Sequence, residues 1–543
     1  MHQLLKFAAI KASLLLACML CVALSAARAS DAAKVAARAD AMLAKELAES
    51  TSASVVDDAT FLRRAALDLT GEIPTPAELT SFALDPSPGK RAAAVERLLA
   101  DNNFGQNWAR YWRDVILYRR SDERALLVGP ALTASLTQKF NAGAKWDQVA
   151  REFITAKGDA RDEGSVAIIM AQMADPANTT AEISRIFLGV QIQCAQCHNH
   201  PTDRWKREQF HELAAFFPRI GVRPVRTDTR RSFEVVSFDR PAGRRAPGAT
   251  EPTTLEYYMP DLEDPQAKGK LMTPKFFATG QKLPLGLTDA QRRAKLAEWI
   301  TARGDGWFAK AYVNRMWGEL VGAGFYEPID DLGPDRKPTA PQTLALLATE
   351  FTSSGYDVKW LFRAITSTAA YQREGRSHAD NQAGQLLANC PQRLRADQLF
   401  NSLSNVLGIE DTPARPGARP GEPRGGQDSP RGKLNQVFGY DPSQRHEEVG
   451  GSIPQALLLM NSPEVNRPIQ GQRPDTSLGQ LLAEVRDDEA VTVELYLRCL
   501  AREPKPSELA TCLEHVKSTD GRAAGFEDIL WSLVNSTEFL HRK

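Results

Sequence analysis

The sequence predicts a mainly α protein: two helical domains joined by a connector with a small β-hairpin. Three observations lead there. Apolar residues recur at helical spacing from the end of the leader to about residue 217 and again from about residue 288. Capping signatures punctuate both stretches. Between them, Phe233-Glu234-Val235-Val236-Ser237-Phe238 alternates as a strand does, among residues rich in Pro, Gly and charge. The expected divisions are 1–29 as a leader, 30–220 as an N-terminal helical domain, 221–286 as connector and 287–543 as a C-terminal helical domain. Residues 412–434 form an expected mobile loop, dense in Pro, Gly and Arg.

Composition narrows the class. The 543 residues can bury more than one core, and 43% hydrophobic with 25% charged residues is ordinary for a globular chain. Lys+Arg and Asp+Glu both number 67, so the chain has no surplus of cations for displacing counterions. No nucleic-acid partner is expected.

The leader sets the expected compartment. Lys6 and Lys11 precede or open an apolar run that ends in Ala27-Arg28-Ala29, a signal-peptide pattern cut before Ser30. The mature chain is expected to be periplasmic or secreted, with no transmembrane segment once the signal is removed. Of seven cysteines, Cys18 and Cys21 leave with the leader. The remaining five are too few and too scattered for a disulfide-built scaffold. Cys499 and Cys512 either pair or stay as isolated buried thiols.

Taken in order, residues 31–56 read as one Ala-rich amphipathic helix. Leu62, Ala65, Ala66 and Leu69 share a helical face that Gly71 ends. Thr75, Pro76 and Glu78 then form a capping box with Pro at the first helical position. Trp108, Tyr111 and Trp112 form an aromatic core stripe. Thr179-Thr180-Ala181-Glu182 opens a helix whose Ile183, Ile186, Phe187 and Val190 face inward. A second helix, about 204–217, carries Phe210, Leu213, Ala214 and Phe217.

Between these two helices lies Gln191-Ile192-Gln193-Cys194-Ala195-Gln196-Cys197-His198-Asn199-His200-Pro201. Its C-x-x-C-H is the arrangement that attaches haem c: two thiols add to the porphyrin and the adjacent imidazole ligates the iron. Cys194, Cys197 and His198 are thus the candidate cofactor residues. Two alternatives stay open. Zn2+ suits Cys194 and Cys197 with His198 or His200, and Asp203 or His211 in reserve. A short disulfide also suits an oxidising compartment. For a distal haem ligand, Met259 is the candidate, with His200, His211 and His446 as rivals.

No catalytic residue is assigned, and an enzyme is the less favoured reading. G-x-S-x-G, H-E-x-x-H and P-loop patterns are missing from the sequence. Asp330 and Asp331 read as a solvated loop or helix cap. With Glu447 and Glu448 they are among the candidate carboxylates for polysaccharide hydrolysis, but no spacing singles them out.

The motifs resemble those of large secreted, cytochrome-associated proteins of planctomycetes with two consecutive domains of unknown function. The likeness rests on Arg63-Arg64 through Gly71, Phe187 through Pro201 with Asp203 and Trp205, Asn314-Arg315-Met316-Trp317, Asp330-Asp331, Tyr356-Asp357-Val358-Lys359, Arg393 through Gln398, and Leu459 through Glu464. It implies an exported protein and a possible secreted sulfatase-like or periplasmic redox partner. Electron transfer or redox sensing is the expected role, with a zinc-clipped scaffold as alternative and an accessory or hydrolytic role in polysaccharide processing as the weaker one.

Overall fold

A computed structural model describes residues 31–47, 53–226, 231–239, 255–303, 306–375, 382–411 and 429–543. The leader and most of the expected mobile loop, residues 412–428, lie outside the described residues. The fold is mainly helical, with small sheets of two or three strands. No described helix is long and apolar enough to cross a membrane.

The first helix covers 31–46 and turns Val35, Ala39 and Leu43 inward. It stops short of the expected 56: Val55 instead makes an antiparallel bridge to Arg373. Helix Asp58–Thr70 ends where expected, because Gly71 takes the left-handed conformation (φ 75°) and its N–H reaches the carbonyls of Ala66 and Leu67. Thr75 and Glu78 close their capping box at helix Pro76–Leu84. Trp108, Tyr111 and Trp112 on helix Asn102–Leu117 are at most 2% exposed. Each such burial is worth ~1.5–3 kcal/mol, so the stripe is core.

The expected hairpin is present. Strands Ile220–Arg226 and Arg231–Ser237 pair antiparallel, and Gly158–Asp159 adds a third strand beside the second. Strand Tyr258–Met259 pairs with Lys270–Leu271 in a separate ladder. Val235, Phe276 and Leu283 enter the main core, so the connector is packed rather than strung between lobes.

The apolar cores divide the chain differently from the helical halves. One core draws on residues from Ala32 to Leu387. The other draws on Leu394 to Phe539, together with Leu62, Leu67, Ile73, Leu79 and Ala94. Helix Asp58–Thr70 belongs to both: Phe61, Ala65 and Leu69 face the first, Leu62 and Leu67 the second. The helix is covered on its charged positions as well: Arg63 and Arg64 donate to the carbonyls of His541 and Lys543, and Asp68 pairs with Arg542. The end of the expected mobile loop is ordered structure, since Ser429 caps helix Pro430–Phe438 by accepting the Gly432 N–H at 3.0 Å.

Candidate functional site

The C-x-x-C-H turn is delivered by helix Pro176–Ile183. That helix begins three residues before the expected Thr179, because Asp175 supplies the cap and Pro176 the first helical position. It widens into a π-turn over Ser184–Leu188 and ends at Gly189 (φ 64°). Here glycine is required twice over. A side chain would strain the left-handed backbone, and its Cβ would lie 2.9 Å from Leu332 Cδ1 and 3.2 Å from Ala311 Cβ.

The motif follows on a separate 3-10 turn, Ile192–Gln196. Its three-residue period explains the display of the thiols. Ile192 and Ala195 are 0% exposed and anchor the turn, while Cys194 and Cys197 sit at the surface as free thiols.

One carbonyl holds the turn in place. Gln196 O accepts from His211 Nε2 at 2.9 Å and from Arg207 Nε at 3.2 Å. Since a carbonyl only accepts, Nε2 carries the His211 proton. His211 Nδ1 then accepts from the Tyr257 hydroxyl at 3.0 Å. Burial pushes the His211 pKa below its ordinary 6.5; the Gln196 carbonyl opposes this and Arg207 adds to it. Both nitrogens are engaged and the side chain is 1% exposed, so His211 positions the turn and is unsuited to be a metal ligand. Arg207 also donates from Nη2 to Pro260 O at 2.5 Å. Tyr257 and Pro260, on either side of Met259, are thereby tied to the same carbonyl as the motif.

The other two histidines differ in tautomer. His198 is exposed, and its Nδ1 lies 2.7 Å from Asn199 O, so Nδ1 donates and Nε2 keeps its lone pair free. His200 accepts the Thr202 N–H on Nδ1 at 3.4 Å, which places its proton on Nε2. A ligating histidine characteristically donates its other ring N–H to a carbonyl. His198 meets that pattern and His200 does not. Among the described residues, no group of three or more His, Cys, Asp and Glu side chains is gathered as a metal site. His446 stands on a 3-10 turn, His446–Glu448, whose neighbour Arg445 reaches Glu327 O at 3.4 Å.

Beneath the turn lies a second constellation. Asp330 is 0% exposed, contrary to its expected place in a solvated loop. Its Oδ2 meets Arg185 Nη1 at 3.2 Å and Arg315 Nη2 at 3.3 Å, and its Oδ1 accepts from Gln191 Nε2 at 2.7 Å. Arg185 also pairs with Glu182 at 2.6 Å and donates to Ser443 Oγ at 2.8 Å. Burial pushes the Asp330 carboxyl up, but Arg185 and Arg315 more than offset it and hold it below 3.8. Three residues earlier, burial lifts Glu327 to about 7 against the Gly324 N–H that bonds it. Asp331 pairs with Arg336 at 2.9 Å, and Glu447 and Glu448 are not buried. With both oxygens engaged, Asp330 is structural.

These contacts join the turn to the second half of the chain. Leu332 N–H donates to Gly189 O at 2.7 Å, Arg204 pairs with Asp335 at 2.5 Å, and Arg336 donates to Thr202 Oγ1 at 3.0 Å. Sequence reading missed Arg185, Arg315 and Ser443. The available signal was an arginine inside the apolar run Ile183–Val190, where a charge must find a buried partner.

A family model described as PSCyt2, protein of unknown function (DUF1549), matches residues 38–221, and one described as PSD1, protein of unknown function (DUF1553), matches residues 292–448. No curated protein matches the chain, and no solved structure does. The first match contains the whole cysteine turn and Arg185; the second contains Arg315, Asp330 and Ser443.

Proposed function

The chain belongs to the family in which these two domains of unknown function follow one another, and from that premise we propose that it is an exported haem c protein serving electron transfer or redox sensing. The observation that carries the reading is the tautomer of His198: Nδ1 is committed to Asn199 O and Nε2 is left free beside two exposed free thiols. That donor set fits haem c. Cys194 and Cys197 would hold the porphyrin through thioethers and His198 Nε2 would hold the iron, which when bound would supply one-electron chemistry.

This chain's own residues do the rest. Asn199 O holds the Nδ1 proton and raises the basicity of Nε2 toward the metal. His211 and Arg207 fix the turn through Gln196 O. Met259 would be the second residue to hold the iron, since Tyr257 and Pro260 on its two flanks are tethered to the motif, whereas Arg445 beside the rival His446 reaches Glu327 O. A zinc clip is less favoured, since no third ligand joins the two thiols among the described residues.

The test is the mass of the exported chain from a host able to mature cytochromes. A gain of one haem that survives acid–acetone treatment, and that Cys197→Ser abolishes, is expected. A polypeptide at its bare mass, with stoichiometric zinc, overturns the proposal in favour of the clip.

A further inference from the structure

A polar cleft lies away from the cysteine turn, between helix Asn102–Leu117 and helix Ala396–Leu407. It is lined by Thr70, Glu72, Asn103, Gln106, Arg110, Asn401, Ser404, Asn405 and Arg431 and holds about 150 Å3. Drug-sized ligands need ~300–1,000 Å3, so only a small group fits.

Two guanidiniums meet in it around a single neutral acceptor. Asn401 Oδ1 takes Arg431 Nη2 at 3.0 Å and Arg110 Nη1 at 3.5 Å. Arg431 is held rigidly: Nε pairs with Asp411 at 2.6 Å, and the guanidinium lies 4.1 Å over the Phe400 ring. Its Nη1 is buried with no hydrogen-bond partner among the described residues. An unmet buried donor on a cation is costly, and a guanidinium fork matches the spacing of oxyanion oxygens. Burial depresses the Arg110 pKa, and the neighbouring Arg431 depresses it further. Glu72 on the rim opposes an incoming negative charge, and burial already pushes its carboxyl up. Asn103, Gln106, Asn405 and Ser404 offer further neutral polar groups.

We propose that this cleft binds one small oxyanion (a carboxylate, sulfate or phosphate group) between Arg110 and Arg431. The site is independent of the haem reading and would serve an acidic metabolite or an acidic group on a larger partner.

Calorimetric titration of the full chain with acetate, sulfate and phosphate, at constant ionic strength made up with chloride, tests it. Saturable one-site binding to at least one anion is expected. Loss of a charge-assisted contact in Arg431→Gln or Arg110→Gln should weaken it by about tenfold or more. Glu72→Gln should tighten it. Should either glutamine variant fail to fold by circular dichroism, Arg431→Lys, which keeps the charge and loses the fork, replaces it and should still bind more weakly than wild type. Titrations of wild type without saturation for all three anions overturn the assignment, as does undiminished binding by a folded Arg431 variant. Binding of acetate alone points to a carboxylate ligand; preference for sulfate or phosphate points to a tetrahedral one.

Discussion

Two regions within a few residues of each other treat their reactive groups in opposite ways. At Asp330, the buried charges satisfy one another: Arg185 and Arg315 meet its carboxylate, Arg185 also takes Glu182, and half-buried Gln191 donates to the remaining Asp330 oxygen. At the cysteine turn, only the backbone is held, and the thiols with the His198 Nε2 are left open. The pairing teaches how to separate glue from chemistry in this chain. Groups with complete partner sets hold the two halves together, and groups left incomplete at the surface are the ones the proposed haem would take.

Four measurements press on that contrast. The largest effect belongs to Asp330→Asn, which leaves Arg185 and Arg315 facing a neutral amide. Removing one partner of a buried ion cluster costs ~3–5 kcal/mol, and urea denaturation should show it; a loss below about 1 kcal/mol would mean water reaches the cluster. The sign of its pH dependence follows from the depressed pKa. Its stabilisation is complete above 3.8 and drains away as pH falls through the lower folded value.

Next comes Gly189→Ala, which combines left-handed strain with a contact at 2.9 Å to Leu332. A loss of roughly 2–3 kcal/mol is expected, together with faster hydrogen exchange across residues 192–199. Unchanged exchange there would show that the turn does not depend on its hinge.

A smaller effect should come from pH alone. His211 has a folded pKa below 6.5, so it stabilises the neutral-pH state and that contribution is lost as pH falls through the folded value. Limited proteolysis near Gln196 should accelerate in mildly acidic buffer. His211→Phe should open the turn at all pH values and flatten the dependence. If wild type and variant respond alike to acid, another group is the sensor.

The smallest stability change should be that of Cys197→Ser. With an exposed sulfur, the denaturation midpoint of the haem-free chain should not move, although covalent haem is expected to vanish. A large drop in the midpoint would transfer Cys197 from the reactive class to the structural one.

Local signals were readable and distant ones were not. The Thr75 capping box, the Gly71 stop and the Trp108 stripe all depend on neighbours within a turn or two, and all are present. Asp330 looked like a loop carboxylate because the sequence near it gives no hint of Arg185, which is 145 positions away. The spacing within Cys194–His198 was legible, but its support was not: His211, Tyr257 and Pro260 converge only in three dimensions. Likewise, apolar periodicity marks that helix Asp58–Thr70 is covered without saying by what.

That last helix has a consequence for biosynthesis. Leu62 and Leu67 are made early, yet they share their core with Leu399, Phe400 and Leu495, which are translated more than three hundred codons later. Until those arrive, a sticky stripe stays open on the nascent chain, and late-closing contacts of this kind slow maturation and invite misassembly. A truncated gene ending near codon 390 should therefore yield aggregates rather than a stable N-terminal fragment, and holdase chaperones should occupy this stripe on the nascent chain.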